Sequence, residues 1–532
     1  MPSKIFSVSI AGLNCELIEV EADISRGLSS FTVVGLGDTS VQEAKERVRS
    51  AIKNSECNFP IQKKTINLAP AELKKQGSTF DLPMAVSLLA ASNQIPFQIF
   101  KDAVVIGELS LNGEVKGVKG ILSITNFAKT KGFKKIFLPI QNQKEASLID
   151  GIKIYGISSL RNLKDFCQGK LLIKPFENTE STSQILDKLF DLADSNQSNK
   201  QDDVISLSSI YGLESAKRAL IIAAAGNHHI LLKGQPGTGK TVLARAFSAL
   251  LPKMTKEDAF EVTKIRSIVE GIPNELSQTM PLILDRPFRE IHHTASKISI
   301  VGGGLNLKPG EITMAHKGVL FMDEITEFPR NVLEVLRQPL EDGFITVSRA
   351  KNSFRFPCEF ILLAAMNNCP CGRLGLETGQ KNKCTCTKKQ IISYQNRLSG
   401  PILDRFDLFV ETPKISVKNF LDTKGKGEDE EIKKKIELAR ALQRERYSSL
   451  KIKENSKLSA EQIKELIKLT PPAKSILDKA ADKLDLSNRG YLKTIKVART
   501  VADLSNHSQI LEDDILEAIQ YRNRPITLGK IL

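Results

Sequence analysis

A lysine and a threonine close a run of glycines in GQPGTGKT, residues 234–241, and that combination suits phosphate. The spacing is G-x-x-x-x-G-K-[ST]: Gly234, Gly239, Lys240 and Thr241 stand at the defining positions, with Gln235, Pro236, Gly237 and Thr238 between them. Backbone N–H groups converge on phosphate oxygens only where glycines allow the tight turn, and a helix start adds positive potential. Apolar Ile230 to Leu232 reads as the strand before this loop, and the chain from about Lys240 as the helix after it. Lys240 is then placed for the β- and γ-phosphates of ATP, and Thr241 for Mg2+.

Further along, GVLFMDE (318–324) is a short apolar run ending in two acids. Read as a buried parallel strand, it delivers Asp323 and Glu324 to the C-terminal edge of a sheet, where α/β proteins bind ligands. Asp323 is assigned to Mg2+ and Glu324 to the base that polarises attacking water. The next apolar run, EFILLAAMNN, ends in Asn367, which is placed either to sense the γ-phosphate or to serve as a strand-end turn residue. GPILDRFDLFV sets Arg405 between two aspartates, and LSNRGYLKTIKVARTVADL sets Arg489 at the start of a basic helix. Such arginines stabilise charge on a transferring phosphoryl group, although a surface ion pair explains Arg405 equally well.

Four of the eight cysteines cluster as Cys369-x-Cys371 and Cys384-x-Cys386, with the two pairs twelve residues apart. Four thiolates make a closed tetrahedral Zn2+ site that would fix a loop with almost no apolar content. Reduced thiols or a redox-labile pair are the other readings. Cys15, Cys57, Cys167 and Cys358 are scattered, which is not a secreted disulfide framework. GFITVSRAKNSFRFPCEF reads as a β-hairpin with Arg349, Lys351 and Arg355 near its tip, where basic residues would grip a phosphate backbone; an ordinary solvated hairpin is the competing reading.

The elements that must position these residues follow from composition and pattern. At 532 residues the chain has room for about three or four domains. Hydrophobic residues make up 41% and charged residues 26%, the balance of a soluble globular protein. No run of about 18 apolar residues spans a bilayer, and the N-terminus reaches Glu16 before any apolar signal core, so the expected location is cytoplasmic. The formal charge of +15 attracts polyanions without distinguishing nucleic acid from a membrane surface.

Residues 1–172 alternate β-rich runs (IFSVSI, FTVVGLG, KTINLAP, AVVIGELSL, KIFLPI) with helical stretches, giving a mixed α/β domain. Residues 173–203 are polar and Ser/Asn/Asp-rich, as expected of a linker. Residues 204–412 carry strand, loop and helix units that imply a parallel sheet, with the Cys-rich insert at 369–386. Residues 413–532 read as a helical bundle preceded by the charged loop DTKGKGEDEE.

The motifs GQPGTGKT, HKGVLFMDE, AAMN, LSGPILDRFD and SNRGYLKTIKVARTVADL, in this order, resemble a Mg-chelatase-like AAA+ ATPase. With its N-terminal half the chain is similar to the bacterial ComM (YifB) family over nearly its whole length. The resemblance implies an AAA+ P-loop α/β domain and a C-terminal helical lid, with Asn367 as sensor 1, Arg405 as a finger acting on the next subunit's nucleotide and Arg489 as sensor 2. A trans-acting arginine requires a neighbour, so a homo-hexameric ring is implied. Asn368 departs from the proline that family members tend to carry there. FREIHHTAS also resembles the family, and His292 and His293 are read as structural rather than as metal ligands.

LGDTSVQEAKERVRSAI, INLAPAELKKQGSTFDLPMAVSLLAAS and GELSLNGEVKGVKGIL resemble a Lon-protease-like N-terminal domain. Aligning its nucleophile loop puts Thr79 near the serine and Leu122 at the lysine base; leucine accepts no proton, and although Lys116 and Lys119 are near enough in sequence to be a shifted base, a one-turn displacement would spoil the ~3 Å reach that a general base needs. A nonproteolytic scaffold or DNA-contacting ring is therefore expected; Lys74 and Lys75 beside a glycine loop fit phosphate contact, and a solvated loop explains them equally well. The family resemblance implies an ATP-driven DNA motor working in branch migration during recombination and natural transformation, on single-stranded or branched DNA. Two alternatives are a chelatase-type ATPase that remodels a protein partner, and a regulatory ring without translocation.

Overall fold

The computed structural model describes residues 2–35, 39–72, 75, 77–176, 184, 187, 188, 190, 205–271, 282–304, 307–349, 352–374, 384–413, 428–450 and 452–522. Two compact units emerge: one combines residues 1–197, 255–284 and 303–309, the other 198–254, 285–302 and 310–532.

The first unit is built on a seven-stranded mixed sheet. Its strands are β1 (Ser3–Ala11), β2 (Asn14–Ser25), β3 (Phe31–Val34), β4 (Lys63–Ala69), β5 (Ala103–Val105), β6 (Lys135–Pro139) and β7 (Lys153–Ile157), in spatial order β3-β4-β2-β1-β5-β6-β7. β2 pairs antiparallel with β1 and β4; the remaining neighbours are parallel. β2 buries Ile18, Val20 and Ala22 and turns its acids outward, the period-two pattern of a half-buried strand. Helix α1 (Thr39–Asn54) is amphipathic, whereas every residue of α2 (Asp81–Ala91) up to Ala90 is buried, its mostly apolar faces in the core and its Asp81 paired with Arg47. Helix α3 (Ile121–Thr130) buries Leu122.

The second unit holds a five-stranded, wholly parallel sheet of β8 (Ile230–Gly234), β9 (Phe288–Ile291), β10 (Val319–Met322), β13 (Ile361–Met366) and β14 (Leu408–Thr412), in the order β9-β10-β13-β8-β14. β11 (Phe344–Arg349) and β12 (Asn352–Pro357) form an antiparallel hairpin beside it. All four residues of β10 and all six of β13 are buried, so their continuous apolar runs reflect helices on both faces. Helix α4 (Glu214–Gly226) ends where Arg440 Nη2 and Gln443 Nε2, on the long C-terminal helix Glu428–Arg446, donate to the carbonyls of Ala224 and Ala225 at 2.8 and 3.0 Å. Carbonyls left open at a helix end are thereby satisfied by the helical C-terminal region. Overall the fold is α/β with a helical C-terminal region, as the sequence implied.

Three details differ from expectation. Helix α6 (Lys256–Val269), which lies in the 204–412 stretch, belongs to the first unit: Gly120 N donates to Ser267 O at 3.0 Å, and Ser267 Oγ donates to the buried Glu145. The acidic end of DTKGKGEDEE is not loop but the first turn of the helix from Glu428, where Asp429 accepts from the backbone N–H groups of Leu207 and Ser208 at 3.0 and 2.9 Å. Lys75 is fully buried and its Nζ donates to Pro70 O, so it is not free for phosphate. Lys74 lies outside the described residues, as does most of 173–203.

Candidate active site

Residues 234–241 lie between the end of β8 and helix α5 (Lys240–Leu250), with Gly237 and Gly239 at φ +75° and +83°. A Cβ at either glycine would meet nothing within 4 Å, so the loop is an open cradle. Gly234 is different: a Cβ there would lie 2.0 Å from Thr412 Oγ1 and 2.5 Å from Thr412 O, so the loop's first glycine is required by its neighbour β14.

Lys240 is buried, and its Nζ donates to Gly234 O at 2.9 Å, Gln235 O at 2.8 Å and Asn367 Oδ1 at 3.2 Å. Burial lowers its pKa, and the charges of Asp323 and Glu324 work against that. Asn367 reaches the loop because β13 lies beside β8 in register Met366↔Lys233. Thr241 Oγ1 donates to Asp323 Oδ2 at 2.9 Å. Residues singled out in sequence thus meet in two hydrogen-bonded sets: Lys240 with Gly234, Gln235 and Asn367, and Thr241 with Asp323. A hydroxyl beside a carboxylate suits a divalent cation, and a buried ammonium over open glycines suits a polyphosphate.

Glu324 is exposed and sits at φ +48°, ψ +47°, a left-handed conformation that costs a residue with a Cβ about 1–2 kcal/mol. His293 Nδ1 lies 3.7 Å from its Oε2, a partner that the structural reading of His293 did not foresee. The register explains it: Ile291 of β9 pairs with Met322 of β10, so the residues two beyond each strand end meet. The His292 and His293 rings lie with centroids 4.2 Å apart, tilted by 32°.

Arg405 and Arg489 converge on one acid. Glu341, in helix α7 (Arg337–Asp342), accepts from Arg405 Nη2 and lies 3.7 Å from Arg489 Nη2. Arg405 is 7% exposed, and its Nε is buried with no hydrogen-bond partner among the described residues. Both arginines line a cleft of about 330 Å³ to which residues 234–241 do not contribute. The structure brings them to each other, not to the phosphate loop of their own chain.

In the hairpin, Arg355 pairs with Thr346, three ladder steps from the tip pair Arg349–Asn352, and its guanidinium stacks 3.3 Å over the Phe344 ring. Lys351 lies outside the described residues, as does the side chain of Arg349.

The four clustered cysteines meet. All are free thiols, and one sulfur from each lies within 4.8 Å of the others. Cys369 Sγ is 3.4 Å from Cys371 Sγ and 3.7 Å from Cys384 Sγ, and Cys371 Sγ is 3.5 Å from Cys384 Sγ. Four thiolates about 2.3 Å from a tetrahedral zinc stand about 3.8 Å apart, so the donor set fits that ion. The N–H of Leu374 points at Cys369 Sγ from 3.3 Å.

In the first unit, Ser78 Oγ donates to Glu108, Leu122 is buried, and Lys119 Nζ donates to Val269 O at 3.1 Å. Among the described residues no helix is long and apolar enough to cross a membrane.

Three family models match along the chain: the subunit ChlI of Mg-chelatase over residues 20–142, magnesium chelatase subunit ChlI over 206–420, and the C-terminal part of the same subunit over 427–522. The chain is 40% identical to the competence protein ComM of Haemophilus influenzae, over 99% of this chain and 98% of that one. It is also 40% identical to the YifB protein of Escherichia coli, over 98% and 97%. A magnesium-chelatase 38 kDa subunit of Rhodobacter capsulatus is 28% identical over 32% of this chain and 51% of its own. The chain belongs to the Mg-chelatase-like AAA+ ATPases of the bacterial ComM and YifB family.

Proposed function

We propose that this chain is an ATP-driven motor that assembles as a homo-hexameric ring and moves along single-stranded or branched DNA, driving branch migration during recombination and DNA uptake. The observation that carries the reading is the end-to-end match to a competence protein, combined with a phosphate loop whose Lys240 already contacts Asn367. The Rhodobacter capsulatus chelatase subunit aligns over 32% of this chain at 28% identity, against 99% at 40% for the competence protein, and that difference favours the motor reading over remodelling of a protein partner.

In this reading Gly234 to Gly239 wrap the phosphates and Lys240 exchanges its carbonyl partners for phosphate oxygens. Thr241 and Asp323 hold Mg2+, which when bound neutralises charge on the β- and γ-phosphates. Glu324 takes the proton of the attacking water, and Asn367 reports on the γ-phosphate. Arg405 acts on the nucleotide of the adjacent subunit, which fits a cleft that its own phosphate loop does not line. Arg489 acts from the lid. Arg349, Lys351 and Arg355 grip the DNA backbone, and the four cysteines hold a structural Zn2+. The N-terminal unit is a nonproteolytic Lon-like scaffold, and the location is the cytoplasm.

The test is conversion of a synthetic four-way DNA junction, with ATP turnover followed in the same tubes. ATP-dependent conversion is expected. Turnover without any junction or fork processing contradicts the motor reading and favours remodelling of a protein partner.

A further inference from the structure

We infer that the cysteine cluster is a clamp for the nucleotide site, so that metal occupancy sets nucleotide affinity. This inference rests on the zinc and ATP assignments proposed above.

Only Asn368 separates the proposed phosphate sensor Asn367 from the first thiol, Cys369. Asn368 is held on both sides: its Nδ2 donates to Leu374 O at 3.3 Å, and Gln395 Nε2 donates to its carbonyl at 3.0 Å. Gln395 closes helix α8 (Lys388–Gln395), which starts just beyond Cys386 and is fixed there by a capping box between Thr387 and Gln390. Both cysteine pairs therefore connect to the sensor asparagine, one through the chain and one through α8.

The second link runs to the phosphate loop. Gly372, at φ +72° in the turn after Cys371, lies so close to Pro236 that a Cβ there would stand 2.6 Å from Pro236 Cγ and 2.7 Å from Cδ. The turn after Cys371 thus touches the phosphate loop at Pro236, while Asn367 accepts a hydrogen bond from its Lys240. Among the described residues its own apolar support is small: Cys369, Leu374 and Ile391 form the core, with the other three cysteines against it. Burial on that scale cannot hold a loop in one conformation, whereas four thiolates on one dication can. Loss of the ion should release Asn367 and Pro236 together.

The experiment compares full-length protein as purified, after zinc removal with a thiol-reactive mercurial followed by its withdrawal, and after zinc is returned. Metal content is measured by mass spectrometry, secondary structure by circular dichroism, and affinity with a fluorescent ADP analogue. About one zinc per chain is expected, with affinity falling roughly tenfold on removal and recovering on return. Gly372→Ala keeps all four thiols, so it should retain zinc yet lose affinity to a similar extent. Protein without zinc, stripped protein that binds nucleotide like the parent, or Gly372→Ala at parent affinity each overturns the clamp. Lys240→Ala is measured alongside: if it also binds like the parent, the failure lies in the nucleotide assignment instead.

Discussion

Replacing Lys240 and Glu324 separates binding from chemistry, and the geometry sets the size of each effect. Lys240 Nζ is aimed by three oxygens at 2.8 to 3.2 Å, and the ammonium is buried. A hydrogen bond to a charged group contributes about 1.5–3 kcal/mol, so Lys240→Ala should weaken nucleotide affinity by roughly 10- to 150-fold. Glu324 is exposed and outside that hydrogen-bonded set. Glu324→Gln should therefore bind ATP near the parent affinity while turnover falls about 100- to 10,000-fold, the usual contribution of a general base. A third variant exploits the backbone. Glu324 occupies a left-handed conformation costing about 1–2 kcal/mol, whereas glycine loses about 0.5–1 kcal/mol in chain entropy. Glu324→Gly should then be stabilised by about 0–1.5 kcal/mol in urea unfolding and yet be inactive. Fluorescent-nucleotide titration and phosphate release measure the first two variants. Glu324→Gln turning over ATP at the parent rate refutes the assignment of the base, and marked destabilisation of Glu324→Gly refutes the strain.

His293 lies 3.7 Å from Glu324 in a half-exposed setting, where an ion pair contributes about 0–1 kcal/mol; His293→Ala should change steady-state turnover by no more than about fivefold and leave affinity intact. His229 accepts from Leu362 N at 3.0 Å as a neutral ring, and burial lowers its pKa to about 3. The unfolded imidazole takes a proton near 6.5 while the folded one does not, so between pH 6.5 and 3 stability falls as pH falls. Between pH 7.5 and 5.5 the parent should lose about 1 kcal/mol more than His229→Gln in urea unfolding; equal losses would contradict the neutral ring. The triple alanine variant of Arg349, Lys351 and Arg355 should flatten the log–log salt dependence of DNA binding by about 2 to 3 while sparing basal ATP turnover; an unchanged slope would remove the hairpin from the interface.

What was legible in the sequence was chemistry encoded locally. The phosphate loop with its strand and helix, the apolar runs of β10 and β13 with polar residues just past their ends, and the paired cysteines are all contiguous motifs. What was not legible depends on strand order and register. Neither His293 nor Glu324 indicates by type that they meet; only β9 lying beside β10 with Ile291 opposite Met322 brings them together. Glu341 collects Arg405 and Arg489 from 64 and 148 residues away, beyond any local pattern. β2 alternates acids with Ile18, Val20 and Ala22 yet is missing from the strands read in sequence, and its place in the first sheet comes from pairing with both β1 and β4. Lys75 looked available beside a glycine because sequence does not show that its ammonium turns inward to Pro70 O.

The central claim is that ATP hydrolysis here is coupled to DNA. The most direct measurement is steady-state phosphate release by the purified parent protein with and without a four-way DNA junction, at fixed low salt, with Glu324→Gln subtracted as background. The account predicts a turnover that rises several-fold and saturates with junction concentration. Turnover indifferent to single-stranded, forked and four-way DNA would contradict it.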